Sequence, residues 1–211
     1  MDMKIRRERE NEYRAVEELT REAFWNLNFP GCVEHYCLHV MRDHPDFIPE
    51  LDFVVEHDEK VIGNIVYARG RIIDAAGTSH QIVGFGPISV LPAYQRQGVG
   101  SALIKHSLEK AASLGFTAVL IYGDPRYYHR FGFRCAEKYD ITTADGKYAV
   151  ALMALELAPG TLGKLAGRFV ESEAYHVDED AFEKYEATFP PGEKAVTDSQ
   201  REFEVLAGLV Y

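Results

Sequence analysis

The sequence predicts an α/β fold, α+β in its element order, on three observations. Apolar residues recur at helical spacing over residues 7–24 and again over 99–114. After Asp52 the period changes to β-rich runs, among them Asp52 to Glu56 and Val61 to Tyr67. Phe116 to Tyr122 is a continuous apolar run of strand length, framed by Gly115 and Gly123, as expected of a strand buried on both faces. With 211 residues, 46% of them hydrophobic, the chain has material for one domain plus a sizeable extension.

Each element has a local reason. Tyr13, Val16, Leu19 and Ala23 make one apolar stripe of the first helix. Pro30 and Gly31 mark a loop, and a second helix over 33–43 stops before Pro45. His57 to Lys60 reads as a hairpin turn, and the strand after it extends through Ile72 and Ile73. The run His80 to Leu91 carries Gly84, Gly86 and Pro87, which inside a strand signal a bulge, an edge or the close approach of another backbone. The helix over 99–114 places Val99, Leu103, Leu108, Ala111 and Ala112 inward and ends at Gly115. Ala149 to Leu157 is a further strand. Residues 178–188 and 198–209 read as helices separated by Pro190-Pro191-Gly192, with Ser199 and Glu202 spaced as a capping box. These divisions predict a domain over 1–158 and an extension over 159–211 packed on it. The extension closes a binding site, forms a homodimer contact or covers apolar surface.

Composition excludes several classes. The net charge is −10, with no basic block to neutralise phosphates, so nucleic acid is not an expected partner. The acidic balance is compatible with a cationic substrate. No apolar run reaches transmembrane length, and Met1 to Glu12 is charged rather than signal-like, so a membrane partner and export by that route are not expected. Cys32, Cys37 and Cys135 are too few and uneven for a disulfide framework and fit a reducing cytoplasm. Cys32, His35, Cys37 and His39 lack the compact spacing of a tetrahedral site, so no metal is expected. Acceptor contact is the better use of residues 25–43, with Trp25, Phe29 and Tyr36 as candidate lining.

The most informative stretch is Gln95-Arg96-Gln97-Gly98-Val99-Gly100, between a strand and a strong helix. The first N–H groups of a helix lack intrahelical partners and, with the helix dipole, form an anion site. Glycine at 98 and 100 clears the approach, and Arg96 adds positive charge. The lysine-terminated nucleotide loop and the three-glycine dinucleotide fingerprint are both absent.

Gln95-x-x-Gly98-x-Gly100 after Ile88-Ser89-Val90-Leu91-Pro92 resembles the acyl-CoA-binding signature of the GCN5-related N-acetyltransferase (GNAT) superfamily. Tyr127-Tyr128-His129-Arg130-Phe131-Gly132-Phe133 is similar to its later aromatic motif. Together with Gly123-Asp124-Pro125 it resembles one group of predicted bacterial acetyltransferases. The resemblance covers about residues 4–157. It implies a GNAT-like acyl-CoA N-acyltransferase fold, a mixed central sheet with splayed strands flanked by helices. It implies acetyl-CoA as cosubstrate, its pantetheine arm along Ile88, Ser89 and Val90 and its diphosphate over Gln95, Arg96, Gln97, Gly98, Val99, Gly100 and Ser101. A bulge is expected at Gly86-Pro87.

Transfer of an acyl group from a thioester to an amine needs a neutral amine, a stabilised oxyanion and a protonated leaving thiolate. Alignment on Gly132-Phe133 selects Tyr128 over Tyr127 as the general acid. Arg130 is a candidate phosphate contact or a surface residue. Many family members carry a glutamate in the bulged strand, but Gly84 to Ile88 contains no carboxylate. That departure leaves Glu34, a water relay or no base at all; Asp124 reads first as a turn residue. The expected acceptor is a primary amine on a small molecule or peptide, attacked directly in a ternary complex. A noncatalytic acyl-CoA sensor or interaction module is the alternative.

Overall fold

The computed structural model describes residues 2–211. In chain order the elements are β1 (Lys4–Arg7), α1 (Tyr13–Phe24), α2 (Glu34–Met41), β2 (Phe53–His57), β3 (Lys60–Ile73) and β4 (Ser79–Val90). They continue with α3 (Val99–Ser113), β5 (Ala118–Tyr122), α4 (Pro125–Tyr128), β6 (Arg134–Cys135), β7 (Ile141–Thr142) and β8 (Leu152–Glu156). β9 (Gly167–Val170), α5 (Glu179–Glu186) and α6 (Asp198–Ala207) complete the chain. The sheet runs β1-β2-β3-β4-β5-β8-β6, and β9 pairs with both β3 and β7. It is mixed: β4 and β5 are parallel, β1 to β4 antiparallel.

Period-two alternation sorts the strands' side chains onto two faces. Phe53, Val55, Ile65, Tyr67, Val83, Phe85, Val119 and Ile121 join the core beneath α3. Val54, Val66 and Ala68 face the other way, onto Val16, Leu38 and Met41 of α1 and α2. Farther along that second face, Ile82, Leu120 and Ala154 pack with Phe169 of β9 in a third cluster.

β4 and β5 share a single register pair, Val83 with Val119, although β4 continues to Val90 and β5 to Tyr122. Beyond that vertex they part, as the family resemblance implies. Gly84 sits at the vertex, where a Cβ would lie 2.7 Å from the Leu120 carbonyl oxygen. The expected irregularity is present: the β3–β4 register shifts between Ile65 and Tyr67, opposite Gly86 and Pro87.

Several details differ from the sequence reading. The first helix is preceded by β1 and a 3-10 turn at Glu10–Glu12, so residues 7–12 lie outside it. Charged Lys4-Ile5-Arg6-Arg7 gives no alternation, yet the strand is held at the sheet edge by Arg6, which donates to Glu12 and Glu56. In α3, Ile104 rather than Ala112 completes the buried stripe. The last strand of the predicted domain begins at Leu152, because Ala149 bridges Val210 near the C-terminus. The Ser199–Glu202 capping box does not form. Thr197 is the N-cap, Ser199 donates its hydroxyl to the Leu27 carbonyl 2.8 Å away, and Glu202 accepts from Arg126.

Residues beyond 159 are tied to the helical face by polar contacts across the chain. Arg21 meets Glu186 at 2.5 Å, Tyr185 donates to Glu17, and Arg14 donates to Thr188. Among the described residues, no helix is long and apolar enough to cross a membrane.

Candidate active site

At the start of α3, Gly98 is the N-cap at φ +90°, and Arg96 before it lies at φ +57°. This left-handed turn lines up main-chain N–H groups in the manner of an anion-binding nest. Among the described residues, those of Arg96, Gln97, Gly98, Val99, Gly100 and Ser101 have no protein acceptor. The side chains of Gln95 and Gln97 brace the turn instead, donating to Val90 O at 3.0 Å and Ala93 O at 2.8 Å. Val99 is buried in the core, so it offers the turn only its main chain. Arg96 is exposed, and nothing occupies the space that a Cβ on Gly98 would enter.

Tyr128 stands where the sheet opens. Asp124 caps α4 by accepting from Arg126 N at 2.8 Å, which fixes the turn out of β5. The Arg126 guanidinium holds the Asp124 carboxyl below its usual range, so Asp124 is committed to this turn. The ring of Tyr128 lies against Gly123, where any Cβ would collide with it, and packs on Phe85 and Phe133. Burial pushes its phenol above the ordinary value, so it stays protonated at neutral pH. Tyr127 packs edge-on against Tyr128 at 5.0 Å, and its hydroxyl points at Gly100 of α3. Arg130 covers the Tyr127 ring at 4.6 Å and donates to the Tyr127 carbonyl. The aromatic pair therefore bridges the mouth of α3 and the gap between β4 and β5.

A cleft of about 270 Å³ occupies that gap and opens on the α2 face. It exists because Ala68, Gly70, Gly84 and Gly86 present a methyl group or less along that face. On the β4–β5 side it is lined by Phe85, Ile88, Ile121 and Tyr128, and on the α2–β9 side by Glu34, Cys37, Glu171 and Tyr175. Glu34 is not a freely solvated helix residue. It is half-buried, and it accepts from Asn28 Nδ2 at 2.9 Å and Val33 N at 3.0 Å. Burial raises its carboxyl.

Not every candidate comes together. Ser89 is buried with its hydroxyl 2.8 Å from Thr20 on α1, which leaves its main chain for any ligand along β4. Ile88 reaches the cleft. Trp25 and Phe29 line a separate hollow with Phe182 and Lys194, and Tyr36 packs on Phe182 and Tyr185 of α5. Of Cys32, His35, Cys37 and His39, only Cys32 and His35 meet. His35 is buried between the Cys32 thiol and the Glu186 carboxylate, and burial holds its imidazole down at about 4. His39 stacks on Tyr185 and meets Glu17, while the Cys37 thiol faces the Ala174 carbonyl. Only Cys37 of these borders the cleft. Sequence reasoning missed Glu171 and Tyr175, although the short run Arg168-Phe169-Val170 after Gly167 was a legible strand signal.

Comparison with known proteins agrees with this geometry. A family model described as an acetyltransferase (GNAT) domain matches residues 50–135. The uncharacterized N-acetyltransferase YhbS of Escherichia coli (strain K12) is 31% identical over 121 residues, which is 57% of this chain and 70% of that protein. The structure of E. coli YhbS in complex with CoA superimposes with a TM-score of 0.71 at 27% identity, covering 82% of this chain and 91% of that one. A GNAT family acetyltransferase from Brucella melitensis in complex with acetyl-CoA gives a TM-score of 0.67 at 26% identity, covering 83% and 99%. With β4 and β5 splayed behind an unpartnered helix mouth, and with this degree of likeness to YhbS, the chain belongs to the GNAT family of N-acetyltransferases.

Proposed function

We propose that the protein transfers the acetyl group of acetyl-CoA to a primary amine by direct attack in a ternary complex, with Tyr128 as general acid. The observation that carries this reading is the continuous path from the free N–H groups of Arg96 to Ser101, across Tyr127, to Tyr128 in the cleft. The diphosphate of the donor is held at that helix mouth by charge-assisted contacts of about 1.5–3 kcal/mol each. The pantetheine arm lies along the unpaired edge of β4 past Val83, near Ile88, Ser89 and Val90. There Gln95 must release the Val90 carbonyl or share it.

With the thioester in the gap, the amine enters from the α2 face and the donor from the α3 face. The amine nitrogen forms its bond to the carbonyl carbon, the carbon–sulfur bond breaks, and Tyr128 gives its hydroxyl proton to the departing sulfur. Burial keeps the phenol in its protonated form, the form that can donate. Direct attack is favoured over a covalent enzyme intermediate, because burial pushes Cys37, the thiol bordering the cleft, up to about 12 and away from thiolate character. A carboxylate absent from β4 is not absent from the cleft, since Glu34 and Glu171 both border it. This weakens the case for a noncatalytic acyl-CoA module.

A thiol-release assay with acetyl-CoA against a panel of primary amines tests the reading. Amine-dependent release of CoA with formation of the N-acetyl product is the expected result. CoA binding without turnover on any amine would favour the noncatalytic module.

A further inference from the structure

The proposed transfer leaves one requirement without a residue: removal of a proton from the amine. Two carboxylates border the cleft, and the structure treats them differently. Both oxygens of Glu34 are engaged, by Asn28 and by the Val33 N–H. Among the described residues, Glu171 has no hydrogen-bond or ion-pair partner within reach. Its main chain is nonetheless fixed, because it follows β9 directly and Val170 is in register with Arg71 of β3. The groups around it are Arg69 and Arg71 from β3, Asp46 from the loop after α2, Glu34 and Cys37 from α2, Tyr122 from the end of β5, Ser172 and Tyr175 beyond it, and Tyr128 across the cleft. Arg69 is occupied elsewhere, donating to the Pro45 and Phe47 carbonyls. Ser172 donates to Asp46.

We infer that Glu171 is the general base of the reaction and that the acceptor is an alkylamine arriving as its ammonium ion through the α2–β9 opening. The inference rests on the acetyl-transfer reading. The two carboxylates divide the work: Glu34, held in place, attracts the cation, and Glu171, unengaged, takes its proton. Glu171 is exposed at the edge of the cleft, as a base that must shed its proton requires, and partial burial of its carboxyl raises it to about 7. The upward direction of that shift favours proton uptake near neutral pH.

The step balances. The ammonium gives one proton to Glu171, which returns it to solvent. The neutral amine attacks and the carbon–nitrogen bond forms. As the carbon–sulfur bond breaks, Tyr128 protonates the sulfur. The second proton lost by the nitrogen restores the Tyr128 phenol. The products are the N-acetyl amine, CoA thiol and one proton.

Glu171→Gln tests this with two probes, spermidine, which is cationic at pH 7, and hydroxylamine, which is neutral there. The expected result is a fall in kcat/KM of at least about 100-fold for spermidine, narrowing as pH rises, with hydroxylamine turnover within about threefold of wild type and CoA affinity unchanged. Equal losses on both nucleophiles would overturn the inference. A second arm needs no acceptor. Carbon-13 NMR titration of glutamate carboxyls in the CoA complex, assigned by the same variant, should show Glu171 titrating near pH 7, and a midpoint below 5.5 overturns the inference. Failure of the wild-type protein to bind CoA removes the transfer reading and this inference with it. CoA binding with an ordinary Glu171 removes the inference alone.

Discussion

The two sides of the sheet are built on different principles. On the α3 side, six consecutive residues from Arg96 to Ser101 present unpaired main-chain N–H donors at one left-handed turn, the proposed diphosphate cradle. On the α2 side the cleft draws Glu34 from α2, Ala68 and Gly70 from β3, Gly84 and Gly86 from β4, and Glu171 and Tyr175 from the segment after β9. The first side is a local device that a short motif can encode. The second exists only after distant segments have paired, and it depends on the contacts that hold them.

That contrast makes separable predictions. The largest effect is expected between the two sides, at the reacting bond. Tyr128→Phe should lower kcat by about 10²–10⁴-fold while CoA affinity by calorimetry stays within twofold. Equal activity would remove Tyr128 from the chemistry. Next comes the scaffold of the α2 side. Arg42 is buried between Glu8 and Glu17, 2.7 Å from each, and Glu17 also receives Tyr185 of the extension. Arg42→Ala removes the buried cation shared by Glu8 and Glu17 and should cost about 3–5 kcal/mol in chemical denaturation. Gly98→Val acts on the other side. It forces a β-branched residue to φ +90° and should weaken CoA binding by about tenfold or more through misaligned N–H groups, with the KM for an amine unchanged.

The smallest effect concerns pH. Glu8 and Asp52 are buried side by side, and both carboxyls are raised, mainly by burial and for Glu8 also by Asp52 itself, with Arg42 opposing. A raised carboxyl binds more protons folded than unfolded. The stability it contributes is therefore complete at low pH and declines as pH rises above the ordinary carboxylate range. Glu8→Gln should flatten that decline in a series of denaturation midpoints; an unchanged slope would assign it to other groups.

The same contrast explains what was legible in the sequence. α3 and its mouth could be read directly, because Gly98, Gly100 and the apolar stripe from Val99 to Ala111 are local signals. Gly84 and Gly86-Pro87 marked where β4 would be irregular, and alignment of Gly132-Phe133 on the family's aromatic motif selected Tyr128, which lines the cleft. The α2 side was far less legible. Glu34 could be named from the sequence as a candidate base, but its place at the cleft wall depends on β3, β4 and the segment after β9, which lie far from it in the chain. Glu171 stayed hidden because β9 has only four residues and pairs with β3 about a hundred positions earlier. Cys32, His35, Cys37 and His39 looked like a cluster, yet beyond the Cys32–His35 contact their partners are Glu186, Tyr185, Glu17 and Ala174, three of them from the extension.

The central claim is that the helix mouth at Arg96 to Ser101 and the cleft at Tyr128 hold one molecule of acetyl-CoA between them. A crystal structure of the protein with CoA tests it most directly. The account predicts the diphosphate on the N–H groups of Gly98 and Gly100 and the thiol within reach of the Tyr128 hydroxyl. A diphosphate bound elsewhere, or a thiol pointing away from the gap between β4 and β5, would contradict it.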